Sequence, residues 1–107
     1  MSADNGIYIL VTKDQHRRVN EYTTINTFTG IEAYRVAHAQ AIDNLEWYED
    51  NQPYNVGYFL HAIWGDSEVF YSADEAYAKA KEILKDVGYT EYGIGFIERT
   101  QYRFPNH

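Results

Sequence analysis

Val56-Gly57-Tyr58-Phe59-Leu60-His61-Ala62-Ile63-Trp64 is the stretch on which the fold turns. It contains no Asp, Glu, Lys or Arg and is rich in β-branched and aromatic side chains. Such a run reads as the strongest strand of the chain, placed at the centre of a sheet. Before it, Asn51-Gln52-Pro53 ends a helix, because proline cannot continue one and restricts the residue ahead of it. After it, Gly65-Asp66 turns the chain into a short strand around Val69-Phe70-Tyr71.

The flanking segments supply the other elements. Asp4-Asn5-Gly6 is a turn signal, and the apolar run Ile7–Val11 predicts a strand covered on both faces. Residues 14–31 are polar and threonine-rich, with Arg17-Arg18 as the one pair of adjacent bases. Val19, Tyr22, Ile25 and Phe28 give this stretch some strand character, as in a projecting hairpin. Tyr34-Arg35-Val36 reads as a second strand. Ala41, Ile42, Leu45 and Tyr48 recur at helical spacing and predict a first helix from Ala39 to Asp50.

The second helix has the clearest signals. Ser72 is an N-cap and Glu75 completes a capping box. Ala73, Ala76, Tyr77, Ala80, Ile83, Leu84 and Val87 hold one face, Glu75 and Lys79 form an i,i+4 pair, and Gly88 stops the helix. Ile94-Gly95-Phe96-Ile97 makes a last strand before a polar, frayed tail to His107. The order predicts one α+β domain spanning residues 1–107. It has a mixed or antiparallel sheet of four to five strands with two helices packed on one face. A ferredoxin-like βαββαβ core with an extra N-terminal strand fits that order.

Length and composition bound the functions. A chain of 107 residues with 45% hydrophobic residues can build a modest core. It has no cysteine, which excludes disulfides, thiol catalysis and Cys-based zinc sites. A short apolar run without a basic start is not a secretory signal, and no segment reaches the length of a membrane span, so a cytoplasmic protein is expected. His16, His38, His61 and His107 lack the spacing of metal-helix motifs, and no metal or cofactor is expected. Ser2, Ser67 and Ser72 leave little for a Ser–His–acid triad, and the seven glycines form no phosphate or dinucleotide loop. The expectation is a protein that is not an enzyme.

One charge feature points to a partner. Between Arg35 and Lys79 the chain carries eight acids and no lysine or arginine, so the formal charge of −7 is local to this stretch. Within it, about 100° per residue brings Asp43, Glu46, Glu49 and Asp50 to one side of the first helix. Trp47 flanks that side and is left more exposed than a tryptophan usually is, with Tyr54 just past the helix end. Acids mixed with rigid amphipathic rings suit a surface that meets a basic protein partner. The same acidity disfavours direct binding to nucleic acid or to an anionic membrane.

Two longer stretches carry a resemblance. Met1-Ser2-Ala3-Asp4-Asn5-Gly6-Ile7-Tyr8-Ile9-Leu10 and Tyr34-Arg35-Val36-Ala37-His38-Ala39-Gln40-Ala41-Ile42-Asp43-Asn44-Leu45 resemble short bacteriophage-encoded accessory proteins, and Glu91-Tyr92-Gly93-Ile94 is similar too. Against that pattern the threonine-rich stretch looks like an insertion. No activity comes with the resemblance, and no residue inherits a role from it. It implies a context, a small phage accessory protein in the bacterial cytoplasm. The leading expectation is therefore a non-catalytic inhibitor that occupies a basic, nucleic-acid-binding surface of a host defence protein, as anti-CRISPR proteins do. The residues that carry it are Asp43, Glu46, Trp47, Glu49, Asp50 and Tyr54. The alternative is a module that sequesters a small ligand or nucleotide signal, with aromatics stacking on a base and Arg17, Arg18, Arg35 or Arg99 holding phosphate.

Overall fold

Ile7–Val11 is buried on both faces, as its unbroken apolar run requires. A computed structural model describes residues 5–19, 26–40, 42–88 and 90–104, and for 15–19 and 26–29 the backbone alone. The elements run β1 (Gly6–Val19), β2 (Asn26–Ala39), α1 (Asn44–Asn51), α2 (Val56–Trp64), β3 (Val69–Phe70), α3 (Ala73–Val87) and β4 (Ile94–Glu98). They form an α+β fold with a four-stranded mixed sheet in the order β3-β2-β1-β4. β1 lies antiparallel to β2 and parallel to β4, and β2 is antiparallel to β3. The expected members Met1–Asp4, Tyr22, Ile25, Ala41 and His107 lie outside the described residues.

The stretch Val56–Trp64 is a helix, not a central strand. Val56, Leu60 and Trp64 are buried, while Gly57, Tyr58, His61 and Ala62 face solvent. That four-residue repeat is helical, whereas a strand would have buried Tyr58 and Ala62 with their alternate neighbours. Pro53 opens a single 3-10 turn, Pro53–Asn55, that leads into α2. The first helix also begins later than its apolar spacing suggested, at Asn44, because β2 continues to Ala39.

Helices cover both faces of the sheet rather than one, so the fold is not ferredoxin-like. On one face α1 and α2 pack Leu45, Val56, Leu60 and Trp64 against Tyr8, Leu10 and Ala39 of the sheet. On the other, Ala76 and Ala80 of α3 meet Ile7, Ile9 and Val36. Odd and even positions of β1 therefore feed two separate cores, the expected consequence of a two-residue repeat. Trp64 is wholly buried, and its indole N–H donates to the Tyr8 carbonyl at 3.1 Å. On α3 the Ser72 hydroxyl accepts from the Glu75 amide at 3.4 Å, and Gly88 closes the helix at φ 89°. Lys79 pairs with Glu82 at 3.6 Å rather than with Glu75.

The first two strands are longer than Ile7–Val11 and Tyr34–Val36. They pair without interruption from Gly6 with Ala39 to Val19 with Asn26, so the threonine-rich region contributes a hairpin as expected. β4 pairs only with residues 7–11, and β3 only with Tyr34 and Arg35. The outer half of the hairpin thus projects as a two-stranded ribbon. It accounts for a radius of gyration of 15.5 Å, where a compact chain of this length gives about 13 Å.

A buried polar cluster sits at the root of the ribbon. The Arg35 guanidinium donates to both Asp14 carboxylate oxygens, at 2.5 and 3.2 Å, and to the Thr12 hydroxyl at 3.2 Å. Thr12 in turn donates to Asp14 at 2.9 Å. Phe104 lies over the guanidinium, 4.1 Å from ring centroid to carbon, so the chain up to Phe104 folds onto the sheet instead of fraying, while residues 105–107 lie outside the described residues. Removing one partner of such a pair leaves the other charge buried and unmatched. Asp14→Ala should therefore lower the unfolding free energy by about 3–5 kcal/mol. Urea denaturation should show the double change Asp14→Ala with Arg35→Met recovering part of that loss.

Candidate functional site

The exposed side of α1 gathers most of the residues singled out in the sequence. Leu45 points into the core and Tyr48 and Glu49 are half-buried beside it. The helix therefore faces solvent on the opposite side. Asp43, Glu46, Trp47 and Asp50 share that side within an arc of about 100°, and all four are exposed. Trp47 lies among the acids, half exposed at 50%, with its ring edge-on to Tyr48 at 5.2 Å. The indole is thus braced on one side by a half-buried ring packed against the core, and its free surface costs little entropy to dock.

Glu49 belongs to a different arrangement. Its carboxylate accepts from the Arg99 guanidinium at 2.9 and 3.3 Å, both groups being half-buried. The bond ties α1 to the segment after β4, so Glu49 is a structural acid and leaves the set of free carboxylates. Asp43 is at the N-terminus of α1 without capping it through its side chain. Glu46 and Asp50 have no basic partner among the described residues.

Tyr54 stands on the 3-10 turn and is 95% exposed. It marks the border between the acidic side of α1 and a hollow of about 290 Å³ on the same face of the sheet. The hollow runs between α2 and the C-terminal segment. Tyr54, Gly57, Tyr58 and His61 line one side, Tyr102, Arg103 and Phe104 the other, with Leu60 at its base. His61 stacks on Phe104 at 5.8 Å, the same ring that covers Arg35. Arg103 has no carboxylate partner among the described residues, and its guanidinium lies beside Gly30 at the root of the ribbon.

The arginines considered for phosphate are accounted for differently. Arg35 and Arg99 are held by Asp14 and Glu49, and the side chains of Arg17 and Arg18 lie outside the described residues. Nothing in the sequence marked Tyr58, His61, Tyr102 or Arg103 as neighbours, because the helical state of α2 and the fold-back of the tail bring them together. His38 contacts the Asn5 side chain and pairs in register with Ile7, whose face is the one under α3. His38 and His61 are therefore on opposite faces of the sheet and share no cleft. Among the described residues no group of His, Asp and Glu could hold a metal ion, and no helix is long and apolar enough to cross a membrane.

Comparison with protein-family models, curated proteins and solved structures gives no match to this chain. The site is thus read from its own chemistry. If Glu49 is structural and Glu46 is not, their neutral variants should separate. Glu49→Gln should lower the unfolding free energy by about 1 kcal/mol, and Glu46→Gln should leave it within about 0.5 kcal/mol, as measured by chemical denaturation.

Proposed function

We propose that the chain is a non-catalytic binding protein whose α1 side and adjoining turn occupy a basic, nucleic-acid-binding surface of a host protein. The observation that carries this reading is Trp47 standing half exposed among Asp43, Glu46 and Asp50, with Tyr54 almost free just beyond. Carboxylates alone attract a basic surface but hold it weakly in salt. A desolvated indole or phenol supplies the short-range anchor that charge lacks.

The acids imitate phosphate only in part. Duplex DNA carries a charge about every 1.7 Å along its axis. Acids three or four residues apart on a helix are separated by about 4.5–6 Å along its axis. The face would fill some phosphate sites and leave others empty, which makes the aromatic contacts necessary to selectivity. The phage context implied by the opening sequence makes a host defence protein the partner class, and the protein an accessory inhibitor acting in the bacterial cytoplasm.

Immobilised protein should retain nucleic-acid-binding proteins from bacterial lysate at low ionic strength and release them at about 0.5 M salt. Duplex DNA should compete for the same proteins. The double change Glu46→Lys with Asp50→Lys should abolish retention, and Trp47→Ala should weaken it at least tenfold. Retention that survives both high salt and charge reversal would sink the proposal.

A further inference from the structure

We infer that the hollow between α2 and the C-terminal segment is a binding site for a nucleoside monophosphate, separate from the acidic side of α1. Its charge is the first ground. The protein as a whole carries −7, yet Arg103 and His61 are among the residues that line the hollow and no Asp or Glu is. A cavity of reversed sign in an acidic protein attracts an anion and rejects a cation. Arg103, free of any carboxylate among the described residues, can meet phosphate oxygens with two parallel N–H donors.

The walls are the second ground. Tyr54, Tyr58 and Tyr102 are among the lining residues, with the buried Leu60 beside them. Tyr58 is 78% exposed on a helix that carries no Asp, Glu, Lys or Arg. Stacking of a nucleobase on such rings contributes about 1–3 kcal/mol per base and tolerates any base, since each has a π-face. A volume of about 290 Å³ lies at the small end of ligand cavities, near 300 Å³. It favours a mononucleotide over a longer ligand. The chain's net charge further disfavours a single-stranded polynucleotide, whose remaining phosphates would face an acidic surface.

Gly57 is the third ground. A glycine in a helix interior costs about 0.5–1 kcal/mol relative to alanine, and Gly57 in the first turn of α2 is a poorer helix former than alanine in kind. Here no internal contact requires it, because a β-carbon at this position would meet nothing within 4 Å. The missing side chain opens space in the hollow rather than in the core. A side chain at Gly57 would therefore extend into the open space that the hollow's lining encloses.

Titration calorimetry with AMP, GMP, CMP and UMP tests the assignment on the intact chain. At least one should bind saturably with Kd below about 1 mM, and adenosine, lacking phosphate, should bind at least tenfold more weakly than AMP. Arg103→Gln and Tyr58→Ala should each weaken binding about tenfold. Gly57→Leu should fill the hollow and abolish binding while its far-UV circular dichroism and melting curve stay those of a folded protein; Gly57→Ala, with the same readouts, serves as the milder variant. Absence of saturable binding to all four nucleotides overturns the assignment, as does binding that Arg103→Gln and Gly57→Leu leave unchanged. Tighter binding of a ten-residue oligothymidylate than of TMP overturns the mononucleotide in favour of a single strand. Tighter binding of a tyrosine-containing peptide than of any nucleotide overturns it in favour of a protein partner. The acids of α1 and Trp47 are untouched in these variants. Tyr54 borders both surfaces, so nucleotide affinity is read by calorimetry and partner retention is read separately, and the failure of one reading is distinguishable from the failure of the other.

Discussion

The central strand buried on both faces is the constraint from which the rest of the architecture follows. Ile7, Ile9 and Val11 face one way and Tyr8 and Leu10 the other, and all five are buried. A sheet with two apolar faces needs a helical layer on each, since exposed apolar surface on either side would forfeit its burial energy. α3 meets one demand with small residues, Ala76 and Ala80, which let the helix approach closely. The other face needs bulk, and α2 provides it with Val56, Leu60 and Trp64. The helical state of Val56–Trp64 is thus an answer to β1, fifty residues earlier in the chain.

Charge is distributed according to burial. Asp14 and Glu49 are each matched to an arginine, one pair wholly buried at the ribbon root and one half-buried beside α1. Water screens the exposed acids, so Glu46 and Asp50, which have no basic partner among the described residues, persist without cost to the fold. The distinction matters for function, because only unpaired carboxylates have interaction capacity left for a partner. It also separates two surfaces on one face of the molecule. The α1 side is acidic with a single large ring, and the hollow beside α2 is lined by three tyrosines, His61 and Arg103, with no carboxylate residue in its lining.

Much was legible before the structure. The capped helix α3, the turn at Gly65-Asp66, the last strand and the exposure of Trp47 follow from local signals of three to seven residues. The error at Val56–Trp64 has a definite source. A continuous apolar run of nine residues has neither a polar alternation nor a polar face strong enough to separate strand from helix. Its four-residue burial repeat exists only relative to the sheet beneath it. The placement of Glu49 was hidden for a similar reason, since its partner Arg99 lies fifty residues away.

By itself, the sequence determined the α+β class, the two-faced burial of Ile7–Val11, and an acidic-aromatic segment free of bases between Arg35 and Lys79. These properties are set by local composition and spacing. Tertiary structure alone decided that α2 is a helix, that helices lie on both faces, which carboxylates remain free, and that three tyrosines, His61 and Arg103 border one hollow. Each of these depends on contacts between residues far apart in the chain, which come together only when β1 is covered on both faces.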